Sequence, residues 1–129
     1  MKLLLDTHIF LWSLLEPEKL TDETVELLDN PETEKYLSAA SSWEIAIKYA
    51  KGSIILPQPP TEFILKHASA AGIRLLPITV GETLETSSLP LHHKDPFDRI
   101  LIAQARLNDM FLVTNDRMLA EYHVPIIEI

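Results

Sequence analysis

The stretch "KLLLDTHIFLWSLL", Lys2 to Leu15, changes character at a single residue. Leu3 to Leu5 is a short, wholly apolar run of strand length, whereas His8 to Leu15 is apolar on nearly every side, as in a buried helix. Asp6 stands at the change. A strand that runs directly into a buried helix is the opening half of a βαβ unit, so the stretch predicts an α/β protein with a mostly parallel sheet. Asp6 and His8 also interrupt the apolar run, and no small-residue cleavage site follows, so an export signal is not expected.

The rest of the chain repeats the pattern. Four further segments read as buried strands: Tyr36 to Ser38, Arg74 to Leu76, Phe111 to Thr114 and Ile126 to Ile129. Helical patterns lie between them. Thr21 is the expected N-cap of an amphipathic segment ending near Asn30-Pro31, and Ser42 to Lys51 stops at Gly52. After the proline-rich "LPQPP" comes a helix from about Thr61 to Ala71, closed by Gly72. Thr79 to Ser87, Pro96 to Leu107 and Arg117 to Tyr122 complete the set. About five strands with helices on both faces form a three-layer α/β/α arrangement, and 129 residues without a linker-like interval suit one domain, 1–129.

Composition narrows the chemistry. With 47% apolar and 23% charged residues the chain belongs among globular proteins, and no run approaches membrane-spanning length, so no membrane partner is expected. The absence of cysteine excludes disulfides, thiolate metal sites and cysteine nucleophiles, and fits a reducing, cytoplasmic setting. A net charge of -8 argues against coating nucleic acid with a broad basic face, though not against an enzyme that contacts a short piece of it.

Four acids fall where such a sheet builds its sites, outside the carboxyl ends of the strands. Asp6 follows the first strand. In "SAASSWEIAIKYAKG", counting from Ser41 as N-cap puts Glu44 at N3, the spacing of a capping box. In "HHKDPFDRIL", Asp95 as N-cap puts Pro96 at N1 and Asp98 at N3, so Glu44 and Asp98 are expected at the same helical position. Asp116 follows the strand of "FLVTNDRML". Each acid also has a plain structural reading as a helix cap, with Thr7, Thr114 or Asn115 as rival caps. The constellation favours function, because Ser, Thr or Asn would have capped equally well.

Drawing carboxylates within about 5 Å of one another costs roughly 3 kcal/mol per pair at an effective dielectric near 20, so the group requires compensating charge. Helix N-termini supply part, and a divalent cation would supply the rest. All-oxygen ligation selects Mg²⁺ or Mn²⁺ over Zn²⁺, and the five histidines form no zinc-type helical pair. One or two such ions acidify water and orient in-line attack on phosphorus, so phosphodiester hydrolysis fits a site with no other nucleophile. Lys48, Lys94, Arg99 and Arg117 lie within a few residues of the acids and are candidates to contact phosphates, against the plainer reading of solvated charges or salt bridges. Thr7 and Ser42 are candidates to bond a ligand or an acid, with capping equally open to them.

Read together and in order, "LLLDTHIFLW", "SAASSWEIAIKYAKG", "LPLHHKDPFDRILIAQA" and "LVTNDRML" resemble PIN-domain proteins, most closely the VapC-type toxins of prokaryotic type II toxin–antitoxin pairs. The resemblance covers essentially the whole chain. It implies a PIN-like three-layer fold, Mg²⁺- or Mn²⁺-dependent endoribonuclease activity on RNA, homodimerisation, and inhibition by a cognate VapB-like antitoxin. Carried over by position, the family's acids fall on Asp6, Glu44, Asp98 and Asp116, with Asp116 acting directly, through a water or by charge alone. Asp95 is then the N-cap that starts the helix.

Rival readings fare worse on the residues. A haloacid-dehalogenase pattern needs an aspartate where His8 stands, and three scattered glycines make neither a P-loop nor a dinucleotide fingerprint. The alternative from another class is a catalytically inactive PIN-like module that works through a protein partner and keeps its acids only as caps.

Overall fold

The computed structural model describes residues 1–90, 95–116 and 126–128. Strand β1 (Lys2–Leu5) leads to α1 (Thr7–Leu15), a 3₁₀ turn over Pro17–Lys19 and α2 (Asp22–Asp29). Strand β2 (Glu34–Ser38) is followed by α3 (Ala39–Ala50) and α4 (Pro60–Ala70), then β3 (Ile73–Leu76) and α5 (Val80–Glu85). A second 3₁₀ turn (Thr86–Ser88), α6 (Pro96–Leu107), β4 (Phe111–Thr114) and β5 (Ile126–Glu128) follow.

All five strands pair in parallel, in the order β3-β2-β1-β4-β5. The chain therefore builds outward from β1 to β3, then crosses back to lay β4 on the other side of β1. That reversal makes the gap between β1 and β4 the switch point, where an open α/β sheet leaves a crevice at its carboxyl edge.

Side-chain alternation splits the core in two, as a sheet covered on both faces requires. Leu3, Leu5 and Val113 pack on one face with Ile9, Phe10, Ile45 and Phe63 from α1, α3 and α4. Leu4 and Leu112 pack on the other with Ile100, Leu101 and Ala105 of α6. The expected three-layer arrangement is present.

Local chemistry sets the helix starts. Thr21 accepts a hydrogen bond from the Thr24 amide, and Asp95 accepts one from the Phe97 amide at 2.9 Å with Pro96 at the first helical position, both as the sequence predicts. Gly52 and Gly72, after α3 and α4, adopt φ of +75° and +68°, the left-handed closure that favours glycine. Thr79–Ser87 divides into α5 and a 3₁₀ turn, with Thr79 and Glu82 forming a capping box. The helix expected over Arg117 to Tyr122 lies outside the described residues.

The start of α3 corrects one expectation. Ser38, not Ser41, is the N-cap: its hydroxyl accepts from the Ala40 amide at 3.0 Å, and helix begins at Ala39. Two alanines, the best helix formers, follow a buried serine that ends the strand, so nothing delays the helix by three residues. Glu44 therefore sits in the second turn, does not share the position of Asp98, and takes no part in a capping box.

Candidate active site

Asp6 is held from two sides at the switch point. As N-cap of α1 its Oδ1 accepts from the His8 amide at 3.1 Å, and its Oδ2 accepts from the Thr114 hydroxyl at 2.7 Å. Its own amide donates to the Val113 carbonyl across to β4 at 3.0 Å. Only 5% of Asp6 is exposed. Burial pushes its carboxyl above the usual range, more than the Thr114 and His8 hydrogen bonds and the His8 charge pull it down, and the negative charge of Glu44 adds to the rise.

Thr114, fully buried at the end of β4, also accepts the Asp116 amide at 3.0 Å. One hydroxyl thus ties the Asp116 turn to the Asp6 carboxylate. On the other flank, the buried Thr7 hydroxyl donates to Ser41 at 2.9 Å, joining the start of α1 to α3 one turn before Glu44. Glu44 is paired with Lys48 at 2.9 Å. Asp98 occupies the third position of α6, where the Asp95 cap and Pro96 fix the direction of the first turn.

These elements enclose a cleft of about 420 Å³ lined by Asp6, His8, Glu44, Lys48, Asp95, Asp98, Asn115 and Asp116. All four acids singled out in the sequence line it, together with the capping Asp95. Among the described residues no three carboxylate or imidazole groups are drawn tightly enough to close around one ion. The five carboxylates that line it nevertheless offer oxygen donors, the set that suits a hard cation, beside the single imidazole of His8. A larger pocket of about 550 Å³ between α3, α4 and edge strand β3 has an apolar lining that includes Leu37, Ile64, Leu75 and Leu76, and holds no acid.

The proposed phosphate contacts divide differently. Lys48 lines the cleft. Thr7 does not face it as a free hydroxyl, because its side chain is buried against Ser41. Ser42 lines the apolar pocket and donates to the Ala39 carbonyl. The Arg99 guanidinium donates to the carbonyls of Thr86, Leu89 and Pro90, clamping the chain ahead of α6. Arg117 and Lys94 lie outside the described residues. Sequence reasoning missed Thr114 and Ser41 as positioning groups; the signal for Thr114 was a lone hydroxyl ending the apolar "FLVT" directly ahead of an acid.

The PIN domain family model matches residues 3–124. No curated protein matches the sequence. Among solved structures, VapBC2 from Rickettsia felis bound to a DNA fragment from its promoter gives a TM-score of 0.74 at 13% identity, covering 99% of this chain and 98% of that one. DNA-bound VapBC from Salmonella typhimurium gives 0.68 at 13% identity over 99% and 98% of the two chains. FitAcB from Neisseria gonorrhoeae gives 0.58 at 19% identity over 98% and 96%. At such identities the likeness is one of fold, while the family match spans nearly the whole sequence: the chain belongs to the PIN-domain family.

Proposed function

We propose that this protein is a metal-dependent endoribonuclease that hydrolyses RNA phosphodiester bonds and acts as the toxin of a VapBC-type toxin–antitoxin pair. The observation that carries the reading is the meeting of Asp6, Glu44, Asp98 and Asp116 in one cleft at the carboxyl ends of β1 and β4. These four carboxylates would hold Mg²⁺ or Mn²⁺. When bound, the cation supplies acidification of water and charge to stabilise the leaving oxygen.

The chain's own residues set the stage for that chemistry. Thr114 and the His8 amide each engage one Asp6 oxygen, which keeps the carboxylate oriented while leaving a lone pair on each oxygen. Burial of Asp6 raises the benefit of placing positive charge beside it. The Asp95 cap aims Asp98, and Thr114 tethers Asp116. Neutralised carboxylates would then admit a polyanion to an acidic protein.

The biological setting belongs to the same reading: a VapB-like antitoxin as partner, a homodimer as the assembled form, and the cytoplasm as location. The solved VapBC and FitAcB structures support a protein partner. So does the apolar pocket beside exposed Leu65 and Leu75. Among the described residues no helix is long and apolar enough to cross a membrane.

The test is cleavage of a panel of defined RNAs by the chain purified free of any partner, with Mg²⁺, Mn²⁺ or chelator. Cleavage should require metal and vanish in Asp6→Asn. Failure of the wild type across the panel, with either metal, would favour the inactive interaction module.

A further inference from the structure

Among the described residues, Lys48 is the only lysine or arginine that lines the acidic cleft. It stands one turn after Glu44 on α3, with Nζ 2.9 Å from Glu44 Oε2. Glutamate four residues ahead of lysine is the favourable order for a helical pair, so the contact is a built one. The environments of the partners differ: the Glu44 side chain is 13% exposed and that of Lys48 is 37% exposed. Glu44 is also close enough to Asp6 for their charges to oppose each other. Lys48 therefore supplies positive charge to a mostly buried acid that has little access to water.

Such a pair is weak enough to exchange partners, and the lysine stem is long, flexible and half in solvent. A divalent cation arriving at Glu44 competes for the same carboxylate and repels the ammonium. The cleft carboxylates that hold the cation are neutralised together with Glu44, so a phosphate of nucleic acid in the cleft becomes a partner for Lys48.

We infer that Lys48 is an exchangeable counter-ion: it occupies Glu44 in the metal-free protein, yields that carboxylate to a divalent cation, and turns its ammonium to an RNA phosphate. The inference rests on the nuclease reading and adds an order of events to it.

Manganese affinity tests the first half without any turnover. Mn²⁺ binding to the purified chain, without RNA, is measured by calorimetry or by the spin resonance of free Mn²⁺ for wild type, Lys48→Met and Lys48→Arg. Thermal melting checks that each variant is folded. Methionine keeps the length of the stem and removes the competitor, so Mn²⁺ should bind about fivefold more tightly or better, while arginine should stay near wild type. With saturating Mn²⁺, Lys48→Met should raise KM for RNA about fivefold and change kcat less. Unchanged or weaker Mn²⁺ binding in Lys48→Met overturns the proposal, as does tighter binding with an unchanged KM. Either result, with wild type active, leaves the nuclease reading standing; a wild type that binds no Mn²⁺ overturns the inference, and only one that also cleaves no RNA with either metal removes the nuclease reading.

Discussion

Replacing Thr114 with valine tests whether one buried hydroxyl supports the site. Both side chains are branched at Cβ with the same number of heavy atoms, and position 114 is fully buried, so the change is one of polarity more than of volume. Two hydrogen bonds disappear: the 2.7 Å donation to Asp6 Oδ2 and the 3.0 Å bond from the Asp116 amide. The first is made to an ionised, buried carboxylate, a class worth about 1.5–3 kcal/mol, and the second is a neutral bond worth about 1 kcal/mol at a half-buried amide. The expected loss at neutral pH is about 2–4 kcal/mol, a fall in Tm on the order of 10 °C for a domain of this size.

The loss should depend on pH with a definite sign. Asp6 titrates above the usual carboxylate range when folded, so its ionisation opposes folding, and stability falls as pH rises through the folded value. The Thr114 hydroxyl relieves part of that penalty. Valine should therefore cost most above the folded value and least below the unfolded one, where the carboxyl is protonated and no longer relies on the donor. Urea unfolding of both proteins at several pH values from neutral to acid measures this. Thr114→Ser restores the hydroxyl and should recover all but about 0.8 kcal/mol, the share of one methyl group. A Thr114→Val loss that is absent at neutral pH, or constant across the range, would refute the reasoning.

Asp6→Asn should abolish RNA cleavage yet unfold at higher denaturant than wild type at neutral pH, an advantage that shrinks as acid protonates Asp6; denaturation at two pH values checks it. Asp98→Ser should remove cleavage and weaken Mn²⁺ binding at least tenfold while changing stability by under about 1 kcal/mol, because Asp95 retains the cap. Glu82→Gln probes a different carboxylate, far from the chemistry. Burial pushes Glu82 up, but donors from Thr79, Asn108 and Gln104 outweigh it and hold the group low. Its stabilising contribution is therefore present above the unfolded value and lost as pH falls through the folded one. The variant should cost about 1–3 kcal/mol at neutral pH and less in acid, read by thermal melting with catalysis intact.

The strands were legible because a sheet buried on both faces leaves continuous apolar runs, as at "KLLLD" and "FLVT". The Asp95-Pro96 start of α6 was legible because proline at the first helical position admits few other readings. The start of α3 was not. "SAASSWE" offers three serines able to cap, and local spacing cannot rank them; tertiary contacts do, since Ser41 is drawn away to meet Thr7. The same limit explains Thr7, Ser42 and Arg99. Their proximity in sequence to an acid predicted nothing about which side of the element they face, and all three are occupied by bonds within the protein.

The acids themselves were legible for a reason rooted in topology. In a parallel sheet every strand reaches the same edge, so a residue after β1 and one after β4 become neighbours although 110 positions separate Asp6 from Asp116. Strand order then decides which of those ends border a crevice, and only the pair flanking the switch point does so. This explains why Asp6 and Asp116 share a hydroxyl while Glu44 and Asp98 must reach the cleft from helices. It also separates the roles of the two aspartates in "DPFD". Asp95, accepting the Phe97 amide at 2.9 Å, fixes where α6 begins, and the fixed beginning, not the sequence spacing alone, carries Asp98 to the same crevice.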